Sequence, residues 1–400
     1  MNRILLIMAI LTYTFSSKVA DTLQIRANAN ICGELPADLS GQKAEGVAGA
    51  FSGIIGNHLF VGGGANFPGK KPWEGGIKQF HDQLLVFKIE DDSLLLEDKD
   101  YKLPEQVAYG ASITLPGGIL CVGGNDSEKC FSKVFMIKEN QEHKPDFQSM
   151  PDLPVPLSFA SATAINNVVY IIGGSSSVDG TDSGNHFFQL DLSKSGTSEF
   201  GWQSLPAFPG KGRIYTVAVA QSNGERACVY IFGGRNVNSS KEITVFTDGL
   251  VYDPVEKTWS PVIAADSADF TVMAGTAFAE GSNHIVFAGG VPGTLVEKEQ
   301  NITKKLAESV KRNDAAGIAD YQRLKLKYFT EHPGFLRDIL LFDTETKQLT
   351  RIGTFETHCP VTTNLVKYRN EAFITSGEIK PGVRSPYIYK VSLEKTDIDK

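Results

Sequence analysis

The chain has 400 residues and a formal net charge of −7, with 42% apolar and 21% charged residues. It is too apolar and too weakly charged to be disordered, it lacks the basic balance of a nucleic-acid binder, and its five Cys are too few for a disulfide scaffold of this length. Glycine is in excess, 39 residues against an average of roughly 7%, with no collagen-like period. Whether the chain makes several domains or one repeat array therefore turns on where the glycines fall.

The N-terminus reads as a secretory signal over residues 1–20. Arg3 supplies the positive start, and the apolar run 4–15 is shorter than the roughly 20 residues a spanning helix needs. The competing reading is an uncleaved anchor. With the leader removed, no membrane span is expected in residues 21–400. Cys121 and Cys228 lie in apolar runs and read as buried small hydrophobes. Cys121 and Cys130 could pair if neighbouring strands bring them together, and the odd count leaves at least one thiol free or paired outside the chain.

From residue 58 onward the glycines recur. HLFVGGG (58–64), ILCVGG (119–124), VVYIIGG (168–174), CVYIFGG (228–234), HIVFAGG (284–290) and EAFITSG (371–377) are short apolar runs, each stopped by a small-residue pair. Their last glycines stand at 64, 124, 174, 234, 290 and 377. Such runs predict strands buried on both faces. A second strand is predicted about ten residues upstream of each pair, at 46–55, 107–115, 157–165, 213–221, 272–279 and 360–368. A third lies downstream, at 83–89, 133–138, 187–192, 250–254, 338–344 and 386–392. The fourth position is marked by Leu-Pro pairs or Trp: Leu103-Pro104, Leu153-Pro154, Trp202 with Leu205-Pro206, and Trp259. Four strands in each of six units predict an all-β fold, a six-bladed β-propeller. Residues 23–35 carry the fourth-strand pattern missing from the last unit, so both termini are expected to share one blade. The long step between the fifth and sixth glycines holds residues 293–337, rich in Ala, Leu, Lys and Glu. It is expected to be a helical insertion in the fifth blade, with Leu306, Val310, Ile318, Leu324 and Tyr328 lining its faces. It would serve either as a surface decoration or as a wall over the propeller mouth.

In such a ring the loops at one end of the channel converge. Residues just after each glycine pair are candidates by position: Ala65-Asn66, Asn125, Ser175, Arg235, Val291 and Glu378. The starts of the preceding strands add Glu45, Tyr109, Phe159, Arg213, Met273 and Cys359. Glu378 is the one acid of its set, and Pro381-Gly382 suits a turn that would fold Arg384 back towards it. An acid beside cations suits a general base with an anion anchor, and equally a solvated loop salt bridge. The seven His show neither HxH nor HExxH spacing, so no metal site is expected.

The glycine-pair units resemble kelch repeats. Three further elements, EGVAGAF (45–51), GGGANFPGKKPWEGG (62–76) and above all GEIKPGVR (377–384), resemble the bacterial N-acetylneuraminate epimerases, or sialic acid mutarotases. The resemblance touches all six units. The Glu-bearing element lies in the last unit rather than mid-chain, which is similar to a cyclically permuted branch of that family. It implies a kelch-type propeller, a periplasmic location, and interconversion of the α and β anomers of N-acetylneuraminic acid without metal, nucleotide or covalent intermediate. Glu378 then matches the family's proton acceptor and Arg384 the arginine of the same motif. Arg213, Arg235, Asn66, Tyr109 and Asn125 are expected to bind the sugar, by their blade positions. The alternative is a non-catalytic kelch propeller that binds a glycan or a protein. A sialidase is disfavoured because no SxDxGxxW box is present, and a copper oxidase because the His spacing offers no ligand set.

Overall fold

The computed structural model describes residues 23–37, 44–91, 93–142, 144–264 and 270–397, so the expected leader lies outside the described residues. Six four-stranded antiparallel sheets are arranged as the blades of a β-propeller. The first blade runs Phe51–Ile55, His58–Gly62, Gln83–Ile89 and Leu94–Lys102, and the next four repeat this order outward from the axis. The sixth takes Leu365–Tyr368, Glu371–Lys380 and Val383–Asp397 from the C-terminal end. Its outermost strand is Leu23–Glu34, paired from Leu23↔Asp397 to Glu34↔Tyr387. A strand from one end of the chain thus closes the ring against the other.

The second strand of every blade is apolar on both faces because every blade is sandwiched between two others. Along Val168–Ile172, Val169 and Ile171 face the second blade, while Tyr170 and Ile172 face the fourth. Side chains alternate across a strand, so consecutive apolar residues serve two interfaces at once. One such buried cluster fills each of the six interfaces between blades.

The structure differs from the sequence expectation in three places. The innermost strands start several residues later than predicted, at Phe51, Ala111, Ser161, Val217, Thr276 and Leu365. The residues before them leave the sheet and cross the end of the channel. The insertion forms two helices, α1 (Gly293–Lys311) and α2 (Ala315–Thr330). Their packed face is only partly the expected one: Tyr328 is buried and Leu306 and Ile318 half-buried, but Val310 is 54% and Leu324 42% exposed, and Val296 is buried instead. Finally, Cys121 and Cys130 are not bonded. All five Cys are free, and Cys130 Sγ lies 3.3 Å from Ser158 Oγ.

Candidate active site

One end of the channel is closed by a ring of backbone. Gly49, Tyr109, Phe159, Tyr215, Ala274 and Thr362, one from each blade, all have positive φ, between 52° and 70°. The amide of each donates to the carbonyl of the one before it, and Gly49 closes the circle by donating to Thr362, at 2.7–3.1 Å. Five of the six are not glycine, and a left-handed conformation costs each roughly 1–2 kcal/mol. The cyclic hydrogen bonds offset that strain. Beneath the ring lies a cavity of about 150 Å³ lined by Ser112, Ser161, Thr216, Thr276 and Asn364. On the ring itself, Tyr109, Phe159 and Tyr215 pack ring to ring at 5.1 and 4.9 Å.

The chain next pairs across the mouth. Ala65, Asn125, Ser175, Arg235 and Glu378 form antiparallel bridges with Ala48, Ala108, Ser158, Ile214 and Val361, and Val291 donates to Met273. The two sets of positions singled out from the sequence are therefore adjoining rows of one structure. The preceding glycine makes this approach feasible. At Gly377, with φ +127°, a Cβ would lie 2.8 Å from the Val361 carbonyl. The first position of that pair is Ser376, held at φ 61° and fully buried. Its hydroxyl accepts from Val47 N at 2.9 Å and reaches the Ser385 carbonyl at 2.7 Å. A serine kept in a left-handed conformation beside Glu378 is strain retained at the site.

Glu378 and Arg384 face each other across the hairpin that ends the sixth blade. Arg384 Nη1 donates to Glu378 Oε1 at 3.0 Å, and the Gly382 amide donates to the same oxygen at 2.8 Å. Oε2 accepts neither of these bonds. Arg384 is nearly fully buried, donates from Nε to the Ala65 carbonyl at 3.3 Å, and covers the Phe67 ring at 4.9 Å. Burial works against its charge, but Glu378 and a hydrogen bond with Tyr109 outweigh that and hold its pKa above the usual value. Gly382 also permits a close approach: a Cβ there would lie 2.8 Å from the Pro72 ring. The 66–79 loop of the first blade thereby seats against the hairpin.

The other expected residues divide. Tyr109 and Arg235 join this end of the channel, and Arg235 stacks on Tyr215 at 5.1 Å with a buried Nε that has no hydrogen-bond partner. Burial pushes the Tyr215 hydroxyl well up, with Arg235 opposing and Tyr109 and Glu378 adding. Asn125 is buried, donating to the Asp126 carbonyl while Oδ1 has no partner. Asn66 is engaged by the framework, donating to the Gly46 carbonyl at 3.0 Å and meeting His81 Nε2 at 2.9 Å. Arg213 is turned into the wall. It makes a bidentate pair with Asp248 at 2.6 and 2.7 Å, donates to the Gly233 carbonyl, and is 2% exposed. These bonds hold its Nη atoms in the wall of the fourth blade, while its buried Nε has no hydrogen-bond partner.

Sequence reasoning missed what the helices bring. Val296 of α1 packs with Met273, Ala274, Phe335 and Val361 above the ring. Glu299 sits one turn further along, half-buried, within the fields of Arg235 and Glu378. From α2, Phe329 stacks on Trp73 of the first blade's loop at 5.4 Å, nearly parallel. His332 follows α2, and burial pushes it down to about 4, with Lys380 and Lys298 adding and Glu378 opposing.

Fold and site define a class: a six-bladed propeller with a carboxylate–guanidinium pair at the sealed end of its channel. The model of the N-acetylneuraminate epimerase family matches residues 14–143 and 150–399, and the chain belongs to that family. It is 40% identical over 110 residues to the N-acetylneuraminate epimerase of Brucella suis, and 23% identical over 250 residues to that of Yersinia enterocolitica. These stretches cover 26% and 62% of this chain and 28% and 58% of those proteins, so the chain spans less than two thirds of the relatives' length. The solved structure of YjhT is similar in fold, with a TM-score of 0.57 and 13% identity, over 91% of this chain and all of that one.

Proposed function

We propose that the protein is an isomerase that interconverts the α and β anomers of N-acetylneuraminic acid by acid–base ring opening and reclosure. The observation that carries this reading is the division of labour within one carboxylate. Glu378 Oε1 is fixed by a guanidinium and an amide, while Oε2 takes neither bond. An oriented carboxylate with one uncommitted oxygen is what a general base requires. Oε2 takes the proton of the anomeric hydroxyl, the bond from the anomeric carbon to the ring oxygen breaks, and its electron pair goes to that oxygen, which takes up a proton. The keto form turns about the next carbon–carbon bond and closes on its other face.

The remaining residues suit a sugar acid. Arg384 orients Glu378, and Arg235 offers a planar guanidinium on Tyr215 for the substrate carboxylate. The Tyr109 hydroxyl and Asn125 Oδ1 are further polar groups at this end, and Asn66 positions the loop beside them. The Arg3 leader supports export to the periplasm, which fractionation of cells producing the full chain tests directly.

The test of the activity is anomer-resolved NMR of freshly dissolved α-N-acetylneuraminate. Equilibration faster than the spontaneous rate is expected. Binding of the sugar with no acceleration would favour the non-catalytic glycan-binding propeller instead.

A further inference from the structure

We propose that Glu299, carried by the helical insertion, is the second carboxyl of this site and donates the proton that the ring oxygen takes up. The inference rests on the isomerase reading and deepens it, because that reading leaves the proton donor unassigned.

The insertion is anchored at the mouth. Val296 is buried on the cluster that includes Val361, the bridge partner of Glu378. The Leu295 carbonyl accepts from the Tyr328 hydroxyl at 3.1 Å, which ties α1 to α2. Trp73 stacked on Phe329 then ties α2 to the first blade's loop, which itself abuts Gly382 of the Glu378 hairpin. Residues three apart share a helix face. Glu299 therefore adjoins the face that Val296 buries; it is half-buried, within electrostatic reach of Arg235 and Glu378.

The two carboxyls occupy unlike surroundings. Glu378 has two donors, one of them a guanidinium. Around Glu299 stand Lys325 and Tyr328 of α2, Arg235 of the fourth blade and Glu378 of the sixth. Burial pushes the Glu299 carboxyl up, Lys325 and Arg235 pull against it, Glu378 adds to the rise, and the net shift is upward. A carboxyl raised in this way favours its protonated form, which suits a general acid. In ring opening, Glu378 gains the proton of the anomeric hydroxyl and Glu299 gives its own to the ring oxygen. Reclosure returns both, so each turnover leaves the enzyme unchanged and involves no oxidant or reductant.

The experiment measures anomer exchange by NMR at equilibrium from about pH 5 to about pH 8, with wild type, Glu299→Gln and Glu299→Ala, and formate added to each. Glu299→Gln is expected to lose roughly 100-fold in rate and to lose the fall on the alkaline side that deprotonation of Glu299 gives the wild type. Formate is expected to restore part of the rate to Glu299→Ala, which a merely structural role would not allow. Glu299→Gln within about three-fold of wild type, with an unchanged pH profile, overturns the inference while leaving the isomerase reading intact. Failure of formate to rescue a folded Glu299→Ala, with both variants keeping the wild-type profile shape, also overturns it. A wild type that does not speed exchange overturns the isomerase reading, and this inference with it.

Discussion

Arg213 and Arg384 are both buried arginines at the same end of the ring, each paired with a carboxylate, yet the two pairs differ in how far they are satisfied. Arg213 and Asp248 share two parallel bonds at 2.6 and 2.7 Å, the Gly233 carbonyl takes a third, and Phe246 covers the guanidinium face at 4.2 Å. Arg384 gives Glu378 a single bond at 3.0 Å, and the second carboxylate oxygen is left out of it. The first pair holds two segments of the fourth blade together. The second presents an oriented oxygen at the sealed end of a channel. Burial and charge alone do not separate framework from chemistry; the carboxylates do, since Arg213 bonds both oxygens of Asp248 and Arg384 only one of Glu378.

That contrast can be broken in several places, ordered here by expected effect. Glu378→Gln should lower the anomer-exchange rate by about 10²–10⁴-fold, since it removes the base but keeps the acceptor for Gly382 and Arg384. Its unfolding free energy should fall as well, by up to about 3–5 kcal/mol, because Arg384 is left buried without a counter-charge. Asp248→Asn should cost a similar amount, about 3–5 kcal/mol in chemical denaturation, because Arg213 is left buried without a counter-charge. Exchange by the folded fraction should stay near wild type. Equal loss of exchange in both variants would erase the distinction between the pairs.

His332 sharpens the comparison through pH. Its folded pKa is near 4, below the unfolded value near 6.5, so the unfolded chain binds the extra proton. The stability this neutral His allows is present above about pH 6.5 and is lost as pH falls towards 4, up to about 3 kcal/mol. Denaturation of His332→Gln across that window should show a flatter acid loss. The smallest effect is expected at the tie between insertion and first blade. Trp73→Ala removes the stack on Phe329 and should cost about 1 kcal/mol of stability, read as a lowered melting temperature.

The fold was legible because the glycine pairs and the buried second strands repeat, and each run such as VVYII must satisfy two neighbouring blades at once. The meeting of Glu378 with Arg384 was legible for a local reason: six residues joined by Pro381-Gly382 form one hairpin. The partner of Arg213 was not, because Asp248 lies 35 residues away on another strand and nothing in the local sequence couples them. The closing ring was also hidden. Its six members are Gly, Tyr, Phe, Tyr, Ala and Thr, and what they share is a backbone conformation rather than a side-chain type. The face of the insertion was legible only in part, for a related reason. Tyr328 is buried as expected, but Val310 and Leu324, which follow the same periodicity, are exposed, and Val296 near the start of α1 packs on the mouth instead.

The most direct test of the central claim is the rate of α-to-β conversion of N-acetylneuraminic acid, followed by NMR with wild type and Glu378→Gln at equal folded concentration. Acceleration by wild type that falls at least roughly 100-fold in Glu378→Gln is the predicted result. Equal rates in the two proteins would contradict the assignment of the chemistry to the half-satisfied pair.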